Sequence, residues 1–158
     1  MPEDSTEPEG DKFQALPQLD VIELEGQRLD PGHYLTKEYD DIGEAAAELP
    51  AIIEWLNYHL QSVIEQRITA EDAIKRAEAE AWRSLHDHGY EQMGYAGSKT
   101  GYNISMAIRL EPAVNDAKAR LAVSSGWESR LINLMRTFQA KLDITRSLEA
   151  TRRLAGSN

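Results

Sequence analysis

From Ile52 to Gly89 the chain runs IIEWLNYHLQSVIEQRITAEDAIKRAEAEAWRSLHDH without a glycine or a proline. Within this run Ile53, Leu56, Leu60, Val63, Arg67, Ala70, Ile74, Ala77, Ala81 and Ser84 recur at strict three-and-four spacing. That spacing lines one face of an α-helix and, when sustained, makes a coiled-coil seam. Large aliphatics dominate its first half and alanines its second, so a partner helix can approach more closely along the second half. Arg67 interrupts the seam, and Thr69 with Asp72 has the form of a capping box at which a helix could restart. One long helix, bent there at most, is the expectation.

A second helix is expected from Ile104, and Glu111-Pro112 gives a restart signal with Pro112 at the first helical position. Val114, Ala117, Leu121, Leu131, Met135, Phe138 and Leu142 fit a second seam. Ser124 and Glu128 are its weak positions, and Gly126 its one interruption. Two long helices joined by a loop bury their seams on each other or on other chains. The expected fold is therefore all-α: a long antiparallel, coiled-coil-like helical hairpin over residues 43–155, opened by the short helix EAAAEL ahead of Pro50. A two-helix layer leaves one side of each seam poorly covered. A homo-oligomer follows as an expectation, with Ile53, Leu56, Leu60 and Val63 as its assembly surface.

Ahead of the hairpin, residues 1–12 are acidic, contain prolines and lack large aliphatics, which reads as a disordered tail. A solubilising role is the plain reading, and mimicry of nucleic acid in a basic groove the sharper one. Residues 13–42 mix single apolar residues with Pro17, Gly26 and the Asp30-Pro31-Gly32 turn. Leu19, Val21 and either Ile22 or Leu24 fit one short strand with no clear second strand to pair with it. The expectation is an extended arm that packs on the helices or on a neighbouring subunit.

The absence of cysteine excludes disulfides, a Cys-ligated zinc site and a thiol nucleophile. No apolar run approaches the ~20 residues that span a bilayer, and the N-terminus lacks the pattern of a signal peptide. A protein of the cytoplasm, of a host cell if phage-encoded, with no membrane association is expected. Net charge is −10, yet residues 1–50 carry 14 acids and 3 bases, whereas residues 96–158 carry 5 acids and 10 bases. The acidic total argues against nucleic-acid binding by overall charge, while a local basic surface stays open.

Between the helices, YEQMGYAGSKTGYN resembles a phosphate loop at first sight. A Walker A loop needs two glycines around four residues and then Lys-Ser/Thr, after a buried strand. Here Ser98 separates Gly97 from Lys99 and a helix precedes, so no nucleotide loop is formed. What remains is a loop carrying Tyr90, Tyr95, Lys99 and Tyr102. Aromatics offer stacking surfaces to unpaired bases, at about 1–3 kcal/mol per base, and lysine attracts phosphate. Against that stands the plainer reading that the tyrosines pack on helix ends. His86-Asp87-His88 lacks a shared helical face and a third ligand, so no metal site is expected. His33 and His59 are isolated, and no catalytic motif is present; a non-enzyme without cofactor is expected. Basic residues of the last helix, with partners such as Asp116–Arg120 and Arg146–Glu149, read as a solvated face or as an anion-binding surface.

The order of these features resembles the UvsY-like recombination mediators of tailed phages over residues 45–153. Trp55-Leu56-Asn57 with His59 opens the long charged helix. A Gly/Tyr loop, Lys99-Thr100, Ile104, Ile108 and Glu111-Pro112 follow, and then Ala117, Leu121 and regular bases. The family's Lys-x-Arg pair falls on Glu78 and Glu80 here, with Lys75 and Arg76 one turn earlier. The resemblance implies a ring-like homo-oligomer that binds single-stranded DNA. It also implies partnership with a RecA-like recombinase, which it helps to displace single-strand binding protein. The DNA-binding residues expected are Lys75, Arg76, Arg83, Tyr90, Tyr95, Lys99, Tyr102 and Arg109. The alternative is a helical structural or scaffolding protein of a phage assembly that does not bind DNA.

Overall fold

The computed structural model describes residues 20–39, 41–88 and 100–156, with the side chains of His88 and Tyr102 excepted. It divides into two compact units at Asp40/Asp41.

In the first unit, β1 (Ile22–Leu24) and β2 (Gln27–Leu29) form an antiparallel hairpin in the register Ile22↔Leu29. The expectation of an unpaired strand is thus corrected: Gln27–Leu29 pairs with it. The turn residues Glu25 and Gly26 both have positive φ, 51° and 76°, the conformation that matches the twist of a two-residue hairpin. The paired Ile22 and Leu29 are both buried. Helix α1 (Pro31–Thr36) follows, capped by Asp30, whose Oδ1 accepts from the His33 amide at 3.1 Å. Residues 20–36 are therefore locally folded rather than an extended arm.

The second unit is all-helical: α2 (Ile42–His88), α3 (Gly101–Leu110) and α4 (Pro112–Gly156). Asp41 caps α2 by accepting from the Gly43 amide at 2.9 Å. The helix passes through Pro50 without ending there, so EAAAEL is its first part rather than a separate helix. Nor does it restart at Thr69, whose hydroxyl donates back to the Glu65 carbonyl at 2.8 Å and so forms no capping box. The second helical region begins at Gly101, earlier than Ile104, because Thr100 Oγ1 accepts from the Asn103 amide. Glu111 closes α3 with an extended backbone and an amide bonded to the Ile108 carbonyl. Pro at position 112 disfavours a helical Glu111 and then starts α4 without needing a donor. Gly126 lies inside α4 without breaking it.

α2 and α4 pack antiparallel along the two seams. Leu56, Leu60, Val63, Ala70 and Ala81 are buried on α2; Val114, Ala117, Ser124, Leu131, Phe138 and Leu142 are buried on α4. Large residues thus meet near the open end of the hairpin and small ones near the turn. Each large aliphatic or aromatic side chain so buried contributes about 1.5–3 kcal/mol. The buried Ser124 hydroxyl bonds to the Arg120 and Leu121 carbonyls of its own helix, so this weak seam position carries no unsatisfied donor. The ion pairs Arg67–Glu128 and Lys118–Glu78 cross between the helices. At the turn end Leu85 and Ala107 are buried together, with Ile104 and Ile108 of α3 packed against them. Among the described residues no helix is long and apolar enough to cross a membrane.

Candidate nucleic-acid interface

Of the expected DNA-binding residues, Lys75, Arg76, Arg83 and Arg109 fall toward the turn end of the hairpin. Arg76 and Arg83 are seven residues apart on α2, which is two helical turns, so they share one face. Both are exposed, and neither has an ion pair among the described residues. Arg109 is exposed on α3, two residues beyond the buried Ala107. The Leu85–Ala107 contact therefore holds Arg83 and Arg109 at the same end of the molecule. Lys75 differs from these arginines, because its Nζ lies 3.3 Å from Asp72 Oδ1. Both of those groups are largely exposed, so the pair is worth little and does not tie the lysine down.

Tyr90, Tyr95 and Lys99 lie outside the described residues. Tyr102 belongs to α3, with its side chain outside the description. One exposed aromatic pair that the sequence reading passed over lies on the same last turns of α2, about 100° round the helix from Arg83. Trp82 is 53% exposed and stacks on His86 at 5.5 Å with 21° between ring planes. The signal was a tryptophan off the seam, four residues before a histidine and next to Arg83.

The charge around this surface is mixed. Asp72, Glu78, Glu80 and Asp87 intersperse with Lys75, Arg76 and Arg83 over the last turns of α2. Glu78 is partly neutralised by Lys118, at 3.8 Å. Along α4 the balance reverses, and between Arg130 and Lys141 there are three bases and no acid. Arg130 sits over the Trp127 ring at 5.1 Å. The expected pair Arg146–Glu149 is replaced by two others, Arg146 with Asp143 at 3.8 Å and Glu149 with Arg153 at 3.1 Å, while Asp116–Arg120 is not formed among the described residues.

The histidines contribute no visible chemistry here. His59 is buried, edge-on to Trp55 at 4.5 Å and to Tyr58 at 5.3 Å, so the WLNxH stretch is in part a packing unit. His86 Nδ1 lies 3.3 Å from Asp87 Oδ1. No group of three metal-ligating side chains occurs among the described residues.

The expected assembly residues lie elsewhere. Leu56, Leu60 and Val63 are buried within the single chain and Ile53 is half-buried. The apolar surface of Leu56, Leu60 and Val63 is taken up by the chain's own core, while Ile53 keeps part of its surface exposed. No family model matches the chain, and no curated protein or solved structure shows significant similarity to it.

Proposed function

We propose that this protein is a non-enzymatic, single-stranded-DNA-binding recombination mediator. In this reading it helps a RecA-like recombinase to load onto strands covered by single-strand binding protein. The observation that carries the proposal is the combination toward the turn end of the hairpin: exposed Arg76, Arg83 and Arg109, with the exposed Trp82–His86 stack on the same last turns of α2. Cations attract the phosphate chain and an aromatic face accepts any base, so the pair of features suits a strand without sequence preference. The sequence resemblance to UvsY-like mediators supplies the biological role.

A second reading, a helical scaffolding protein without DNA binding, is favoured by the acids interspersed among those same arginines. Fluorescence anisotropy of a labelled oligothymidylate separates the two. A mediator binds at low salt, weakens as salt rises, and lowers the barrier to recombinase assembly on protein-covered strands. A scaffold leaves the oligonucleotide free at every salt concentration.

A further inference from the structure

A second line of residues, apolar at its two ends and basic between them, runs along α4 at the edge of the buried seam, with which it shares Leu134. Val123, Trp127, Arg130, Lys141, Ile144 and Leu148 follow three-and-four spacing or its multiples. Val123, Ile144 and Leu148 are 63%, 61% and 58% exposed. Large aliphatics at heptad spacing in water are a seam without its partner helix. Gly126 falls on the same side, and a Cβ added there meets nothing within 4 Å. Glycine is unfavourable in a helix interior, and nothing among the described residues requires one here. The open space leaves room for a backbone to approach from outside.

The charge of this line identifies what approaches. Between Val123 and Leu148 it holds two bases, Arg130 and Lys141, and no acid. On the outer side of α2, Glu54, Tyr58, Gln61, Glu65, Ile68 and Asp72 follow the same spacing and are all exposed. That line has two large apolar residues, Tyr58 and Ile68, three acids and no base. Over their full lengths α2 has 9 acids and 4 bases, whereas α4 has 4 acids and 8 bases. We propose that the outer line of α4 docks against the outer line of α2 in a second copy of this chain. Pairing α4 with α4 sets bases toward bases and gives Glu54 and Glu65 of α2 no base from the second copy. The contact does not involve DNA, so it stands or falls independently of the proposed function.

Light scattering on the full chain, without DNA, tests the contact. Wild type at micromolar concentration is expected as a multimer. Ile144→Asp with Leu148→Asp, and separately Gly126→Leu, are expected to reduce the mass toward the 17.8 kDa of one chain with helical circular dichroism retained. Gly126→Leu raises helix propensity, so its dissociation cannot be put down to unfolding. Arg130→Glu with Lys141→Glu, and Glu54→Lys with Glu65→Lys, are each expected to dissociate alone and to assemble when mixed. A monomeric wild type, either apolar-line variant at wild-type mass, or charge-reversed proteins that do not assemble on mixing overturns the proposal.

Discussion

Arg67 of α2 and Glu128 of α4 meet across the hairpin, with Nε 2.8 Å from Oε2, so the polar interruptions of the two seams face each other. The Nε–H is not aligned on that oxygen and Nε has no other acceptor, so the contact works by charge at short range rather than as a directed hydrogen bond. Arg67 also holds Glu71 on its own helix. Both partners are mostly buried, and a polar pair in an apolar seam specifies register more than it stabilises.

Glu128→Ala is therefore expected to destabilise by about 1–2 kcal/mol, less than a fully buried pair would lose, because Glu71 still compensates the arginine. Arg67→Met with Glu128→Leu should recover most of that loss. Urea melts followed by circular dichroism measure both. If the single change is neutral, Glu71 alone satisfies Arg67.

Phe138 is the largest fully buried side chain. Phe138→Ala removes its burial and leaves a cavity that two rigid helices cannot close, a loss of about 3–5 kcal/mol. Leu148→Ala, at an exposed position, should change stability in an assembly-deficient background by under about 0.5 kcal/mol. Equal effects at the two sites in chemical denaturation would contradict the packing.

Glu25 adopts φ 51° at the first turn position of the hairpin, where asparagine or glycine is at less cost. Glu25→Asn is expected to slow amide exchange at Ile22 and Leu29, and Gly26→Val to accelerate it. Unchanged exchange in both would show that the turn does not limit opening of β1 and β2.

For the proposed DNA contacts, Arg76→Ala with Arg83→Ala removes two phosphate partners and should flatten the salt slope by about 1.4. Trp82→Ala should weaken binding by about 1–3 kcal/mol at unchanged slope. Oligonucleotide titrations at several salt concentrations separate the two effects. Loss of binding only on Arg136→Ala with Lys141→Ala would move the interface to α4.

The long-range frame was legible because burial along α2 and α4 follows a period that the sequence states openly. Leu56, Leu60, Val63, Leu131, Phe138 and Leu142 all lie where the seams predict. The start of α3 was not, because the Thr100 cap is embedded in a glycine-rich stretch that reads as loop. β2 was hidden for another reason: Gln27-Arg28-Leu29 has no strand signature of its own and exists through pairing after the Glu25-Gly26 turn. On the candidate interface, helical spacing alone put Arg76 and Arg83 on one face. Trp82 was not legible because a single large apolar residue off the seam of a helix carries no periodic signal. Periodicity also cannot say whether Leu56 and Leu60 meet the same chain or another copy; only the antiparallel return of α4 decides it.

The contacts between the helices are ordered by the chain length they enclose. Leu85 and Ala107 are 22 residues apart, Glu78 and Lys118 are 40, and Arg67 and Glu128 are 61. Closing a longer loop costs more entropy before any contact rewards it. Folding is thus expected to begin beside the turn and to close like a zip toward the open end. The small residues of the turn end then form the nucleus, and the large ones near Leu56 and Phe138 join late. φ-values should be high for Ala107→Gly and low for Leu142→Ala, and the reverse order would place the nucleus at the open end. On this route a slipped register is challenged at Arg67 and Glu128 before the greasiest part of the seam can seal it in.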